Sequence, residues 1–372
     1  MKKTSKLKDV TTYIARGITP KYTNENGVIV LNQKCIRDNV IIYANSRLHD
    51  IYTKKMSDEK ILRQWDVLIN STGVGTAGRT AQLKNSPKRV ITADSHVTIV
   101  RPNIDKIHPG YLGYYLSFIE EQIESLAEGS TGQTEISRSN LGELNIEYPE
   151  STNEQKAIYK ILSKIDSKII FNNRTNDNLL EISKTIFSND FGDKIRGGKE
   201  IGDYLVPKRG KALLSKDAIK GDIPVIAGGL EPATFHNLSN TKAPVITISA
   251  SGANAGFVNL WQREVWSSDS SFIDATITEN PFFWYVMLVV RQDEIYKAQT
   301  GSAQAHIYPK HIAEMSIGDI KQSEISTYEK KVASVFEQIE QNKTENRRLT
   351  RLRDTLLPEL LNGKIDISNI DI

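Results

Sequence analysis

Ser151 to Phe187 reads STNEQKAIYKILSKIDSKIIFNNRTNDNLLEISKTIF. Ile158, Leu162, Ile165, Ile169, Asn172, Asn176, Leu179, Ser183 and Ile186 recur in steps of four and three. That spacing is the seam of a coiled coil with three polar positions. Neither Gly nor Pro interrupts it. Ser151 or Thr152, with Glu154 close behind, supplies an N-cap and a first-turn acid. At about 1.5 Å per residue the segment predicts a rod of roughly 55 Å. So long a rod is a spacer or a seam for a partner, and the rest of the chain is organised around it.

A second rod is predicted from Glu324 to Leu361. Shifted by 174 residues, Ile158, Ile161, Leu162 and Ile165 fall on Val332, Val335, Phe336 and Ile339. The seam then drifts from Asn346 and Thr350 toward Leu349, Leu352, Leu356 and Leu360, and Pro358 is placed to kink or end the helix. Two similar rods, each after a larger block, imply an internal duplication. The blocks bear this out in their order of parts. LKDV at 7–10 aligns with IGDY at 201–204, and the Gly17 turn with the Gly210 turn. DVLINSTGVG aligns with VITISASGAN, placing Gly73 on Gly252. Asp94 falls on Asp269, and HPGYLGYYL on NPFFWYVML. GSTGQTEISRSNLGELNI aligns with TGSAQAHIYPKHIAEMSI, placing Gln133 on Gln304, Ile136 on Ile307 and Ile146 on Ile317. The polar loops differ most between the copies, as if two similar scaffolds carried different readers.

Within the first block, Asn26-Gly27 signals a turn before the strand VIVLNQ, and DVLIN is a further strand. A strand pair brackets Asp94, and His108 to Ile123 reads as a short amphipathic helix. A chain of 372 residues has room for two domains. The basic N-terminus lacks the apolar run of a signal peptide, and the longest apolar run, Pro281 to Val290, is too short to span a membrane. Cys35 is alone, so no disulfide framework or cysteine-based zinc site is expected, and the six His show no ligand spacing. A cytoplasmic protein is the simplest reading. Net charge is +3 overall. It divides as +3, +1, 0 and −1 over residues 1–150, 151–195, 196–322 and 323–372. Charge alone does not mark a nucleic-acid binder.

Three motifs invite catalytic readings. Gly73-Val-Gly75-Thr-Ala-Gly78 fits G-x-G-x-x-G, and the same letters fall one residue short of a P-loop. Both need a helix opening at the last glycine, and Arg79 to Ser86 show no helical period. A tight turn between strands is the reading that remains. Asn280-Pro281-Phe282-Phe283 is one Pro short of an amino-methyltransferase tetrapeptide and reads instead as a helix start with Pro in first position. Asp94 and Asp269 lack a partner carboxylate or His common to both copies, which favours turn or cap roles.

The order of parts, variable block, long helix, variable block, long helix, resembles the specificity subunit of type I restriction–modification systems. The phrases that carry the resemblance are DVLINSTGVGTAG, GSTGQTEISRSNLGELNI, PVIAGG at 224–229, TGSAQAHIYPKHIAEMSI and LRDTLLPELLNGKI. It covers essentially the whole chain. It implies an α+β fold of two similar α/β target-recognition domains, residues 1–150 and 196–322. Two long antiparallel coiled-coil helices, 151–195 and 323–372, the family's so-called conserved regions, would separate them with internal pseudo-two-fold symmetry. Each domain would read one half of a bipartite, asymmetric site in double-stranded DNA. Two methyltransferase subunits would dock and modify adenine N6 with S-adenosylmethionine. Two restriction and translocase subunits using ATP and Mg could join. The chain itself would be non-catalytic, with no cofactor and no metal, and no membrane partner. Base edges are read by Arg, Lys, Asn, Gln, Ser and Thr in the major groove. The expected readers are Lys21, Tyr22, Arg79, Thr80, Gln82, Lys84 and Ser95 in the first domain. In the second they are Lys208, Arg209, Lys211, Asn254, Ser268 and Ser270. Two other readings use the same residues: a coiled-coil scaffold with two ligand-binding lobes and no DNA role, and a DNA-modifying enzyme with an unrecognised site.

Overall fold

The computed structural model describes residues 2–129, 134–301 and 304–367. Gln133, paired with Gln304 in the repeat, lies outside them. Four helices organise the chain: α1 (Pro109–Phe118), α2 (Thr152–Phe191), α3 (Pro281–Val290) and α4 (Gln322–Leu361). The two long helices are where the apolar repeat put them, and each is 40 residues. Pro358 lies in the last turn of α4 and does not stop it. There its missing N–H costs the one hydrogen bond to the Asp354 carbonyl, and only three helical residues follow it. No helix among the described residues is long and apolar enough to cross a membrane.

Two compact units form, Met1–Lys168 with Arg348–Ile372, and Ile169–Arg347, so each long helix contributes to both. In the second unit the helices run antiparallel. Asn172 meets Asn346, Asn176 meets Asn342, and the Tyr328 hydroxyl donates to the Ser183 carbonyl at 2.8 Å. Val332, Phe336, Ile339, Phe187 and Phe191 are buried there in one core. The seam steps to Phe187 where Ile186 was expected; Ile186 packs at its edge. In the first unit Ile158 and Leu162 are buried with Leu360 and Leu361. Each such side chain contributes about 1.5–3 kcal/mol. One expectation fails here. Leu352 is 48% exposed, and Arg353 takes the seam position, held 3.2 Å from Asp166. With Leu356, Leu360 and Leu361 packed into the core, Leu352 turns out and Arg353 turns toward α2.

The first lobe carries β1 (Thr11–Arg16), β2 (Val28–Leu31), β3 (Arg47–His49), β4 (Val67–Asn70), β5 (Thr80–Gln82), β6 (Ile91–Ala93) and β7 (Val97–Pro102). One antiparallel sheet has the order β1-β7-β4-β5; a second pairs β6 parallel to β2 and β2 antiparallel to β3. The second lobe carries β8 (Lys208–Arg209), β9 (Ile223–Ile226), β10 (Thr234–His236), β11 (Val245–Ser249), β12 (Val258–Trp261), β13 (Trp266–Ser267) and β14 (Ser270–Ile273). Its sheets are β8-β14-β11-β12 and β10-β9-β13, again with one parallel pair, β9 with β13. The fold is α+β with the same lobe twice.

The repeat extends to single hydrogen bonds. The Leu7 amide donates to Leu144 O as the Ile201 amide does to Met315 O; Ile136 to Ser71 matches Ile307 to Ala250. Gly73 and Gly252 both have positive φ, 101° and 81°. A buried histidine recurs: His49 accepts the Lys21 amide and His236 the Ile219 amide, each at 3.0 Å on Nδ1. One alignment must be corrected. The Asp94 amide donates to Leu31 O, and the equivalent amide in the second lobe, donating to Ile226 O, is that of Ser268. Asp94 therefore corresponds to Ser268, and the turn before β14 is one residue shorter than that before β7. His108 to Ile123 also departs from an amphipathic helix. Gly110 to Leu116 are all buried, and the helix breaks at Ile119 before a short turn at Glu120–Glu124. Gly73, Gly75 and Gly78 form the expected tight turn between β4 and β5, and Pro281 opens α3.

Candidate nucleic-acid interface

In the first lobe the site begins at Gly17. A Cβ there would lie 2.0 Å from the Ala93 carbonyl, so only glycine lets the chain leave β1 so close to β6. His49 then fixes the Lys21 backbone, and Tyr22 emerges exposed. The Arg47 guanidinium lies over the Tyr22 ring, 3.3 Å from its centroid. Such stacking holds a cation in place while leaving its N–H fork free. Around them Asn32, Gln33, Lys34 and Asn45 line an open cleft with Asp94 at its floor. Asn32 Nδ2 donates to Asn45 O at 2.8 Å and Asn45 Nδ2 to Lys34 O at 2.9 Å, so the loops brace one another. Among the described residues, Lys21, Lys34 and Arg47 make no ion pair. Burial pushes the Asp94 carboxyl up, against the His96 amide and the His96 and Arg16 charges.

The expected readers separate into groups. Tyr22 borders this cleft and Lys21, next to it in the chain, is exposed; Ser95 lies half-buried in the adjoining turn. Arg79 is half-buried, its Nη2 donating to Gly75 O at 2.8 Å across the glycine turn. Three others are turned inward. Thr80 is 1% exposed, its amide and hydroxyl donating to Glu120 at 2.7 and 2.9 Å. Gln82 donates to Trp65 O and Pro109 O. Lys84 reaches Asp166 on α2 at 2.8 Å, where the Tyr114 hydroxyl and Arg353 also converge. Period-two alternation alone could not tell which side of β5 α1 and α2 cover.

In the second lobe Lys208, Arg209 and Lys211 are exposed. Arg209 pairs with Asp269 at 2.7 Å, and Asp269 also accepts from the Ser251 hydroxyl. Gly210 repeats the close approach, its would-be Cβ 2.5 Å from Ser267 O. Asn254 is half-buried, near Gly228 O at 3.4 Å. Ser268 is 5% exposed and holds the Leu213 amide; Ser270 is fully buried beside Ser267. These two serines build the loop and present no hydroxyl at its surface.

Sequence reasoning missed Asn32, Gln33, Lys34, Asn45 and Arg47. A signal was present. The polar triplet Asn32-Gln33-Lys34 follows β2, whereas Ala227-Gly228-Gly229 follows the equivalent β9. The same backbone position carries hydrogen-bonding side chains in one copy and almost none in the other. A concave polar cleft with two unpaired cations and amide side chains suits the edges of bases and the phosphates beside them.

Comparison with known proteins bears on the family and the fold. Residues 2–181 match the model of the type I restriction modification DNA specificity domain. The chain is 25% identical to a putative type I specificity subunit of Mycoplasma genitalium over 80% of this chain and 82% of the relative. It is 21% identical to the HindI specificity subunit of Haemophilus influenzae, over 82% and 88%. The crystal structure of a type I restriction–modification S subunit from M. genitalium superposes with a TM-score of 0.55 at 19% identity. That match covers 99% of this chain and 97% of that one, and it shows a shared fold.

Proposed function

The chain belongs to the specificity subunits of type I restriction–modification systems, and on that premise we propose that its two lobes read the two halves of one bipartite DNA site. The observation that carries this is the repeat itself. The scaffold is duplicated to single backbone hydrogen bonds, while the loops at one sheet edge differ in chemistry. Two equal scaffolds with unequal loops are what an asymmetric site requires. The chain holds no catalytic centre of its own in this reading. Two methyltransferase subunits supply S-adenosylmethionine chemistry, and two restriction subunits can supply ATP- and Mg-dependent cleavage. The test is a block exchange. Residues 196–322 are replaced by the equivalent block of a relative, and the methylated motif is sequenced in cells also carrying the methyltransferase. One half of the motif changes and the other stays. A change in both halves sinks the independence of the lobes, and methyl transfer by the purified chain alone sinks the division of labour.

Within the first lobe, Lys21, Tyr22, Lys34, Arg47, Arg79 and Ser95 are the proposed contacts; in the second they are Lys208, Arg209, Lys211 and Asn254. Arg47→Ala is expected to weaken specific binding by ~1–3 kcal/mol and relax preference at one base pair if the guanidinium meets a base. Arg79→Ala, already tied to Gly75, is expected to weaken all sequences alike and lower the salt slope by about one, as a phosphate contact does. Anisotropy titrations at several salt concentrations separate the two. Arg47→Ala with unchanged affinity and preference removes the cleft from the interface.

A further inference from the structure

The helix that each lobe leans on is capped by a side chain from a long helix. On α2, Gln155 is 1% exposed. Its Oε1 accepts the His108 amide at 2.7 Å, at the start of α1, and its Nε2 donates to Pro149 O at 2.7 Å. On α4, Glu329 accepts the Phe282 amide at 3.1 Å and the Phe283 amide at 2.8 Å, at the start of α3. The shift of 174 residues that overlays the two apolar seams carries Gln155 onto Glu329. Asn280, which precedes α3, makes no side-chain cap of its own. The first amides of a helix have no partner within it and must find one elsewhere. In the first copy His108 Nδ1 caps the Tyr111 amide and the rod takes the His108 amide, whereas in the second the rod takes both amides; each contact also fixes where α1 or α3 sits along the rod.

We propose that Gln155 and Glu329 are equivalent positioning residues, each setting the orientation in which one lobe presents its reading loops, and that only the second is titratable. The inference rests on the DNA reading proposed above. Its second half rests on chemistry as well as place. Burial pushes the Glu329 carboxyl up to about 7, against the two amides that favour its charge. The α3 segment PFFWYVMLVV brings no charged side chain, and its titratable group is Tyr285. Tyr328 adjoins Glu329 on α4, and Asp190 of α2 is paired with Lys331 at 2.7 Å. A carboxyl whose folded value is raised stabilises fully below its ordinary value near 4.5, and this contribution is lost as pH rises through about 7. Glu329→Gln removes the titration and keeps one of the two acceptors, a loss that does not itself vary with pH.

Full-length chain is bound to duplexes carrying its own motif, with one half-site scrambled at a time. Glu329→Ala is expected to lose at least tenfold of discrimination at one half-site and less than twofold at the other. Gln155→Ala is expected to do the reverse. Equal losses at both halves, or none at either, overturn the proposal. Amide exchange tests the caps without DNA: Phe282 and Phe283 exchange faster in Glu329→Ala and unchanged in Gln155→Ala. Unchanged exchange in both overturns it. Thermal unfolding compares wild type with Glu329→Gln from pH 5 to 9. The Gln variant gains on wild type as pH rises through 7, and a pH-independent difference overturns the titratable half. A wild-type chain that distinguishes neither half-site refutes the DNA reading instead, leaving the exchange result to judge the caps.

Discussion

Asp166→Ala is expected to destabilise the first unit by ~2–3 kcal/mol. Asp166 lies on α2 with 17% of its side chain exposed, and three groups converge on it. Lys84 Nζ is at 2.8 Å, the Tyr114 hydroxyl at 2.5 Å and Arg353 Nη1 at 3.2 Å. Lys84 lies just beyond β5, Tyr114 on α1 and Arg353 on α4, so one carboxylate ties the sheet and three helices of this unit together. Removing it leaves Lys84 half-buried without a counter-charge, while Arg353 keeps its neighbour Asp354 at 2.8 Å. Breaking a fully buried pair costs about 3–5 kcal/mol, and the 32% and 26% exposure of the cations discounts that. The pH dependence has a definite sign. Burial pushes the Asp166 carboxyl up, but Lys84, Tyr114 and Arg353 outweigh it, and the net shift is downward. Its contribution is therefore present above the ordinary carboxylate value of 3.8 and is lost as pH falls through its lower folded value. Chemical denaturation at neutral pH reads the loss, and titration into acid reads its disappearance in wild type but not in the variant. A variant as stable as wild type at neutral pH shows that the node holds nothing together. The same substitution should leave the loops of the reading cleft in place, since none of the four groups lines it.

Lengthening both long helices together is expected to lengthen the unread spacer of the DNA site. The antiparallel pairing dictates how this must be done. Asn172 meets Asn346 and Asn176 meets Asn342, with 2.8 Å hydrogen bonds in each case. Four residues added to α2 alone would set these amides against apolar or empty positions. An insertion after Asn173 must be matched by one between Thr344 and Glu345. Four residues in each helix add ~6 Å and rotate the far end by ~40°. One base pair adds ~3.4 Å and ~35°. The rotation agrees with one added pair, and tilt absorbs the remaining ~3 Å. A four-residue insertion is also one that a coiled coil accommodates by local unwinding. Three residues in each helix rotate the end by about −60°, which no single added base pair matches. The four-residue variant should keep both half-sites and widen the spacer by one or two pairs; the three-residue variant should lose modification. Methylome sequencing of cells carrying each variant reads the outcome. A spacer unchanged in the four-residue variant assigns the ruler to the partner subunits.

What could be read from residues alone was whatever rests on period and order. A 40-residue helix needs only its apolar repeat and the absence of Gly and Pro, and both lie within the helix itself. The duplication was legible for the same reason: the aligned fragments occur in the same order in both halves, and order needs no coordinates. Its glycines were legible too, because the Gly17 and Gly210 turns admit no other residue. Tertiary structure decided which polar residues face outward. Thr80, Gln82 and Lys84 have the composition of readers, yet the short turn at Glu120–Glu124, α1 and α2 respectively draw them into structural hydrogen bonds. Ser268 and Ser270 are turned in for the same reason. Arg47 became a candidate only when β3 brought it over Tyr22, 25 positions away in the chain. Leu352 and Arg353 exchanged roles where Leu356, Leu360 and Leu361 set the packed face of α4 and Arg353 meets Asp166. A side chain's type and its neighbours in sequence state what it can bond to. Only the packing of distant elements states whether that bond is made inside the protein or left for a partner.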